Sequence, residues 1–428
     1  MGYNFFNEKK VPRAINNKLR DFFESFGETF KKRKKVSFAD RDIEYLLGLQ
    51  QDRIKSKDLE IDYKIYPRGR NKLEFIPISD WKDMHYWNTV CSDFCGIKRV
   101  VRKNGKAIYK DDKKSVVYGT VTDVISGVHP DDDPYSCPNC GFVSTVSGLQ
   151  DGCPHCGTKF KMDDFFPKVS SFYFLDDSNV NKGEFKSLYK KLYFVSLVIL
   201  YILASLMRPD MFSLSVMKEN NFLMISGVVA LIITNFIATY MGTIFFIFIR
   251  GMVKMIVNSN KFGTVGSRRR FESRMQKVSP EFSYEYFTSK AISLIKTAVF
   301  SEDEKELALY VGDRLDLRMK DIIDLNYGGA LGVIKFKDEG DFVTVKTKAF
   351  FDVLYAKGNK VYYKPQVFSA TLKRRTDIPV DFNFSMTKIS CPSCGASFDA
   401  TRLKKCPYCE NEYDIISDDW ALIELKYN

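Results

Sequence analysis

Histidine is scarce: three copies in 428 residues. It is the side chain whose charge changes near neutral pH, so three dispersed copies leave little material for imidazole acid/base catalysis. Familiar catalytic motifs are missing too. The chain has no G-x-x-x-x-G-K-[ST] phosphate loop, no H-E-x-x-H pair and no G-x-S-x-G nucleophile elbow. The acidic runs Asp131-Asp132-Asp133 and Asp163-Asp164 read as solvated turns. These absences set aside the common hydrolase and phosphotransfer classes, and no enzymatic activity is expected. The opening residues also lack the uninterrupted apolar core of a secretory signal.

Charge is absent from two internal stretches. Residues 192–207 and 222–249 contain no Asp, Glu, Lys, Arg or His. As a helix the second runs about 42 Å, longer than a hydrocarbon core of about 30 Å, while the first needs its flanks to span. The pair predicts a transmembrane helical hairpin over 188–250. With no ionisable group inside it, an ion path or proton relay is not expected. Lys182, Lys186, Lys190 and Lys191 precede the hairpin, and Arg250, Lys254, Lys261, Arg268, Arg269, Arg270, Arg274 and Lys277 follow it. The connecting residues 208–221 hold only Arg208 and Lys218. Basic flanks stay on the cytoplasmic side. The expectation is a two-span cell-membrane protein with both termini cytoplasmic. Arg268, Arg269 and Arg270 are then the residues expected to touch the anionic inner leaflet. The formal charge of +12 is largely accounted for by these flanks and the Lys31–Lys35 run.

What the chain does have is cysteine in a pattern. Eight of its ten cysteines form four Cys-Pro-x-Cys pairs: Cys137/Cys140, Cys153/Cys156, Cys391/Cys394 and Cys406/Cys409. Each pair is followed by its partner after eleven or twelve residues. Two facing knuckles of this kind supply the four thiolates of a tetrahedral zinc site. Two structural Zn²⁺ are predicted, with no position left open for water and hence no Lewis-acid role. Disulfides do not suit a reducing cytoplasmic face. Cys91 and Cys95 are left over and read as free thiols, and His155 reads as a surface residue inside a saturated knuckle.

The remaining organisation follows from periodicity. Residues 1–36 predict an amphipathic, Phe-rich helix with a basic end, lying either on a membrane surface or on a domain. Residues 37–135 open with a helix over 40–57 and turn strand-rich, with Asn104-Gly105 as a hairpin turn. Residues 136–162 are the first ribbon and 251–278 a basic linker. Ser279-Pro280-Glu281 signals a helix start, with Phe287, Ala291, Leu294, Ile295 and Ala298 on one face. Ser301-Glu302-Asp303-Glu304 signals a second helix reaching Tyr310. Strands follow to about residue 375, with turns at Asp338-Glu339-Gly340 and Lys357-Gly358-Asn359. Residues 389–428 carry the second ribbon and a terminal strand. The fold class predicted is α+β, with two cytoplasmic zinc-ribbon arms joined by the membrane hairpin.

The stretch Ser279-Pro-Glu-Phe-Ser-Tyr-Glu-Tyr-Phe287, the helix to Phe300, the acidic 302–306 turn, Tyr327-Gly328-Gly329, the Cys-Pro-x-Cys-Gly ribbon and Asp419-Trp420 resemble a Tim 44-like domain. The family is named after a subunit of the mitochondrial import motor, and bacterial membrane proteins with zinc ribbons carry relatives. The resemblance covers residues 279–427, about a third of the chain. It departs at Val299-Phe300, where many members have Trp. It implies a nuclear transport factor two-like cone over 279–388, helices on a curved antiparallel sheet. It also implies a non-enzymatic scaffold that docks a protein partner or shelters an apolar ligand in its cone. Two other readings stand beside this one. Ribbons also bind nucleic acid, and Lys159, Lys161, Arg402, Lys404 and Lys405 lie in or beside these two. Aromatic interleaving is thin, however, and nucleic acid is not the expected partner. A lipid-related enzyme using the cone is the other alternative, but the sequence names no nucleophile for it.

Overall fold

The computed structural model describes residues 11–32, 35–83, 85–176, 182–207, 221–257, 259–280, 282–302, 307–378, 389–398, 400 and 403–427. The chain divides into two compact units. One comprises residues 1–177 together with 263–428, and the other residues 178–262.

In the larger unit, α1 (Arg13–Lys32) lays its aromatic face on a sheet. Leu19, Phe22, Phe23 and Phe26 are essentially buried, with Phe22 edge-on to Phe172 and Phe26 packed on Tyr63, Phe172 and Phe174. Of the two placements open to an amphipathic helix, this face therefore belongs to a protein core. Next comes α2 (Arg41–Ser56), where the Asp40 side chain accepts from the Asp42 amide at 3.2 Å.

The first sheet is antiparallel. Its strands are β1 (Leu59–Pro67), β2 (Ile76–Asp83), β3 (Tyr86–Lys103), β4 (Lys106–Val124) and β7 (Lys168–Asp176). The order is β1-β3-β4-β7, with β2 also on β3. One edge of the long β3 is shared: β1 pairs with its residues 95–103 and β2 with residues 86–92. Asn104 and Gly105 have φ of 50° and 73°, the left-handed pair a two-residue hairpin turn demands. The sequence shows β3 only from Ile97 and breaks β4 at residues 111–114. The strand runs through that charged stretch because Arg99 on β3 takes Asp111 on β4 at 3.0 Å.

After the first ribbon and the smaller unit, α7 (Ser259–Val278) brings Phe271 and Met275 into the second core. It is a helix where a linker is expected. The following helix, α8 (Tyr284–Phe300), starts later than the Ser279-Pro280 signal suggests. Its cap is Ser283, whose hydroxyl accepts from the Tyr286 amide at 3.3 Å; Ser279 instead closes α7 through its amide to Met275 O. The expected Phe287–Ala298 face is buried. Residues 303–306 of the second expected helix lie outside the described residues. The part that is described, residues 307–310, forms a turn and a bridge from Tyr310 to Leu422.

The second sheet has order β13-β10-β9-β8: β8 (Ile322–Asp338), β9 (Phe342–Lys357), β10 (Lys360–Arg375) and β13 (Ala421–Tyr427). Each of β8, β9 and β10 joins two stretches that periodicity separates. Pro365 sits within β10 because β13 pairs only from Phe368 onward, so no partner there requires its missing N–H.

The expectation of two separate arms changes here, since the two sheets share a core. Ile323, Leu354 and Ala356 of the second sheet cluster with Leu19, Phe23 and Val117 of the first region. Between the sheets, Arg99 Nη1 donates to Asp324 Oδ2 at 2.7 Å and Gln50 Nε2 to Asp324 Oδ1 at 3.1 Å. Arg53 reaches the carbonyls of Val299, Ser301 and Met319. Sequence reading misses this because each partner is more than 200 residues away in the chain.

The smaller unit is a pair of helices, α5 (Lys182–Met207) and α6 (Asn221–Val257). Both contain segments long and apolar enough to cross a membrane, Leu188–Leu206 and Ile225–Phe246. Their apolar side chains are largely exposed, as lipid-facing ones are. Their shared face is polar: Ser196 Oγ lies 2.7 Å from both Asn235 Oδ1 and Thr239 Oγ1, and Asn235 Nδ2 donates to Tyr193 O at 3.2 Å. Asn235, Thr239 and Thr243 are buried there.

Candidate metal centres

The first ribbon is built on β5 (Pro134–Ser136), β6 (Val143–Thr145) and the short helices α3 (Val146–Asp151) and α4 (Met162–Phe165). The second uses β11 (Ile389–Ser390) and β12 (Ser397–Phe398). Both lie in the larger unit, and β12 runs near β6, so the two ribbons are neighbours.

All four knuckles share one backbone design. The amides of Cys137, Cys153, Cys391 and Cys406 donate to the carbonyls of Phe142, Thr158, Ala396 and Asn411, five residues on. The same cysteines' carbonyls accept from Gly141, Gly157, Gly395 and Glu410. Those last four residues have φ of 80°, 69°, 73° and 60°. Three are glycine, which enters this region without Cβ strain; Glu410 does so at a cost. The curl turns amides toward sulfur. Asn139 and Cys140 N–H point at Cys137, Ser393 and Cys394 N–H at Cys391, and Thr158 N–H at Cys156.

The sulfurs converge accordingly. Each group of four lies within 4.8 Å. Cys137–Cys156 is 3.7 Å and Cys140–Cys153 3.6 Å, with Cys391–Cys409 at 3.6 Å and Cys394–Cys406 at 3.7 Å. Four thiolates at about 2.3 Å from one ion sit about 3.8 Å apart, so both groups fit a tetrahedral soft-ligand ion. None of the eight is in a disulfide. Each group holds one thiol already acidified to about 6. The Thr158 hydroxyl and amide do this for Cys156, and the Cys394 amide for Cys391.

Side chains outside the thiols brace the knuckles. Asn139 Nδ2 reaches Thr158 Oγ1 at 3.1 Å, and Asn411 bonds Ser393 in the corresponding place. His155 is exposed and stacks on Phe142 at 6.0 Å. Asp133, read as part of a solvated turn, instead holds the ribbon's entry. It accepts from Tyr86 Oη at 2.6 Å and lies 3.0 Å from His85 Nδ1.

The other sequence candidates are dispersed. Cys91 and Cys95 are buried in the first core, and burial pushes both thiols up to about 12. Arg268 stacks on Tyr284 and pairs with Glu285 at 2.6 Å and Glu272 at 3.2 Å. It is engaged within the protein, and all three arginines of the trio are exposed. In comparisons with known proteins, no family model, no curated protein and no solved structure matches this chain.

Proposed function

We propose that this protein is a membrane-anchored scaffold whose α5–α6 hairpin holds the two-sheet body at the inner leaflet, where it docks a protein partner. The observation that carries this is the hairpin's exposed apolar surface attached to a body with two closed four-cysteine groups. Basic flanks support the cytoplasmic placement of the body, and thiolate sites suit that reducing side. Arg268, Arg269 and Arg270, all exposed, are the lipid contacts in this reading, Arg268 being paired as well with Glu285 and Glu272. The Tim 44-like resemblance of residues 279–427 supports a non-enzymatic docking role. A protein partner is favoured over an apolar ligand in the cone because Phe287, Phe300, Phe351, Phe368 and Trp420, all nearly inaccessible, fill the core beside the second sheet.

The metal in this reading is Zn²⁺, held by Cys137, Cys140, Cys153 and Cys156 and by Cys391, Cys394, Cys406 and Cys409. It would crosslink each ribbon and supply no reaction chemistry. Elemental analysis of the purified protein should give two zinc ions per chain, and Cys153→Ser or Cys391→Ser one. A metal-free wild type that melts unchanged overturns the structural role. Crosslinking in native membranes followed by pull-down tests the scaffold. Retention in membranes after alkaline carbonate washing, with a protein reproducibly crosslinked to the body, is expected. Release by carbonate removes the anchor from the reading. A cysteine placed in residues 208–220 should react with an impermeant thiol reagent on intact cells; protection there reverses the topology.

A further inference from the structure

Within the larger unit a cavity of about 130 Å³ lies between the start of α2, the middle of the first sheet and α8. Its wall mixes apolar Ile43, Leu46, Phe172 and Ile292 with hydroxyls and charged groups. Thr120, Thr122, Ser170 and Ser171 contribute hydroxyls from β4 and β7, and Ser289 and Ser293 from α8. Several already satisfy one another: Thr122 donates to Asn88 at 2.6 Å, Ser171 to Thr120 at 2.8 Å, and Ser171 lies 3.3 Å from Ser289. Thr120 and Thr122 are buried, and the four serines are half-buried.

The lysines are unequally partnered. Three lysines line the cavity, with Asp40 and Asp42. Lys168 is ion-paired with Asp40, and Asp42 adds to its field. Lys290 is paired with Asp419 at 2.8 Å. Lys296 is more than nine-tenths buried and, among the described residues, has no hydrogen-bond or ion-pair partner; its recorded contact is the Phe172 ring at 5.6 Å. The acid whose field reaches it is Asp324, whose oxygens are already taken by Arg99, Gln50 and Asn326. Trp81 lines the cavity as well, although its unpartnered indole Nε1 is closed off from it.

We infer that this cavity binds a small oxoanion, a phosphate or a short carboxylate, through the Lys296 ammonium and the hydroxyls of its wall. A buried ammonium at the cavity with no acid in contact calls for an anionic acceptor. A cavity of about 150 Å³ takes a ligand the size of benzene, so this one takes about five or six heavy atoms. Inorganic phosphate and lactate are of that size. Burial brings Lys296 down to about 8, which leaves it mostly protonated at neutral pH and able to pair with such a ligand.

The test uses the full chain in detergent, in chloride-free buffer at neutral pH. The probes are inorganic phosphate, lactate and acetate, with glycerol as the neutral control, and titration calorimetry is read beside Trp fluorescence. One-to-one saturable binding of at least one anion and none of glycerol is expected. Lys296→Met should weaken it by about tenfold or more, the loss that follows a charge-assisted hydrogen bond. Trp81→Phe should leave the affinity nearly unchanged and remove the ligand-dependent fluorescence change. Unchanged circular dichroism and zinc content show that the variants fold. Saturable binding of none of the anions overturns the inference, and so does equal affinity in wild type and a folded Lys296→Met.

Discussion

Lys296 shows what one misplaced charge does to stability. Its folded value of about 8 lies below the ordinary lysine value of 10.5, burial being the cause. Below about pH 8 it is protonated in both states and the folded form bears the full cost of a buried ammonium. Between 8 and 10.5 the unfolded chain binds the extra proton, so stability rises with pH across that window. The shift corresponds to about 3 kcal/mol. Lys296→Met should therefore raise the melting temperature at pH 7 and flatten the pH dependence between 8 and 10.5 in thermal melts. A slope unchanged by the substitution assigns that window to other groups. Glu410 shows the same logic in the backbone. It occupies the left-handed position that glycine fills in the other three knuckles. Glu410→Gly should stabilise the second ribbon by about 0.5 kcal/mol, the relief of Cβ strain exceeding the added chain entropy. A competition titration with a zinc chelator reads this as slower metal loss from that ribbon alone.

At the scale of elements, the hairpin α5–α6 is held by polar groups inside an apolar pair. In lipid, apolar faces gain nothing by meeting each other, so packing and interhelical hydrogen bonds decide the register. Asn235 bonds both the Ser196 hydroxyl and the Tyr193 carbonyl, at 2.7 and 3.2 Å. Asn235→Leu should loosen the pair by about 1 kcal/mol while keeping the span apolar. Disulfide trapping between cysteines placed on facing positions of the two helices should slow, whereas membrane insertion should not change. Undiminished trapping makes the Ser196–Asn235 bond incidental. The hairpin's existence is legible from its uncharged length, but this polar seam is not. Ser196, Asn235 and Thr239 look like scattered interruptions until the two helices are set side by side.

For the whole molecule, the decisive contact is buried Asp324 with Arg99 and Gln50. It links the two sheets and α2, and so regions on either side of the hairpin in sequence. Asp324→Ala leaves Arg99 with Asp111 alone and Gln50 short of one acceptor. It should destabilise the protein by about 3 kcal/mol. Because the cores meet, hydrogen exchange should quicken in both sheets together. Quickening confined to the second sheet would mean that the two fold as independent bodies. Asp419 has a related part, accepting from Tyr286 at 2.9 Å and pairing with Lys290 at 2.8 Å. It fastens α8 to the chain just before β13.

The sequence by itself determined whatever is encoded locally. The four Cys-Pro-x-Cys knuckles, the Asn104-Gly105 turn, the apolar face of α8 and the uncharged lengths of α5 and α6 each rest on residues within a turn or two of one another. Short-range sterics and periodicity suffice to read them. Only the folded chain shows that α1 spends its aromatic face on a sheet, that the body before and after the hairpin shares cores, and that Arg268 meets Glu285 of the next helix. It also shows that Lys296 ends at a cavity with no acid to meet it. These outcomes depend on residues tens to hundreds of positions apart, and a buried lysine looks like a solvated one until its neighbours arrive. The eight thiols show the division clearly. Their spacing foretold two groups of four, while the 3.6–3.7 Å separations that fit one ion came only with the folded chain.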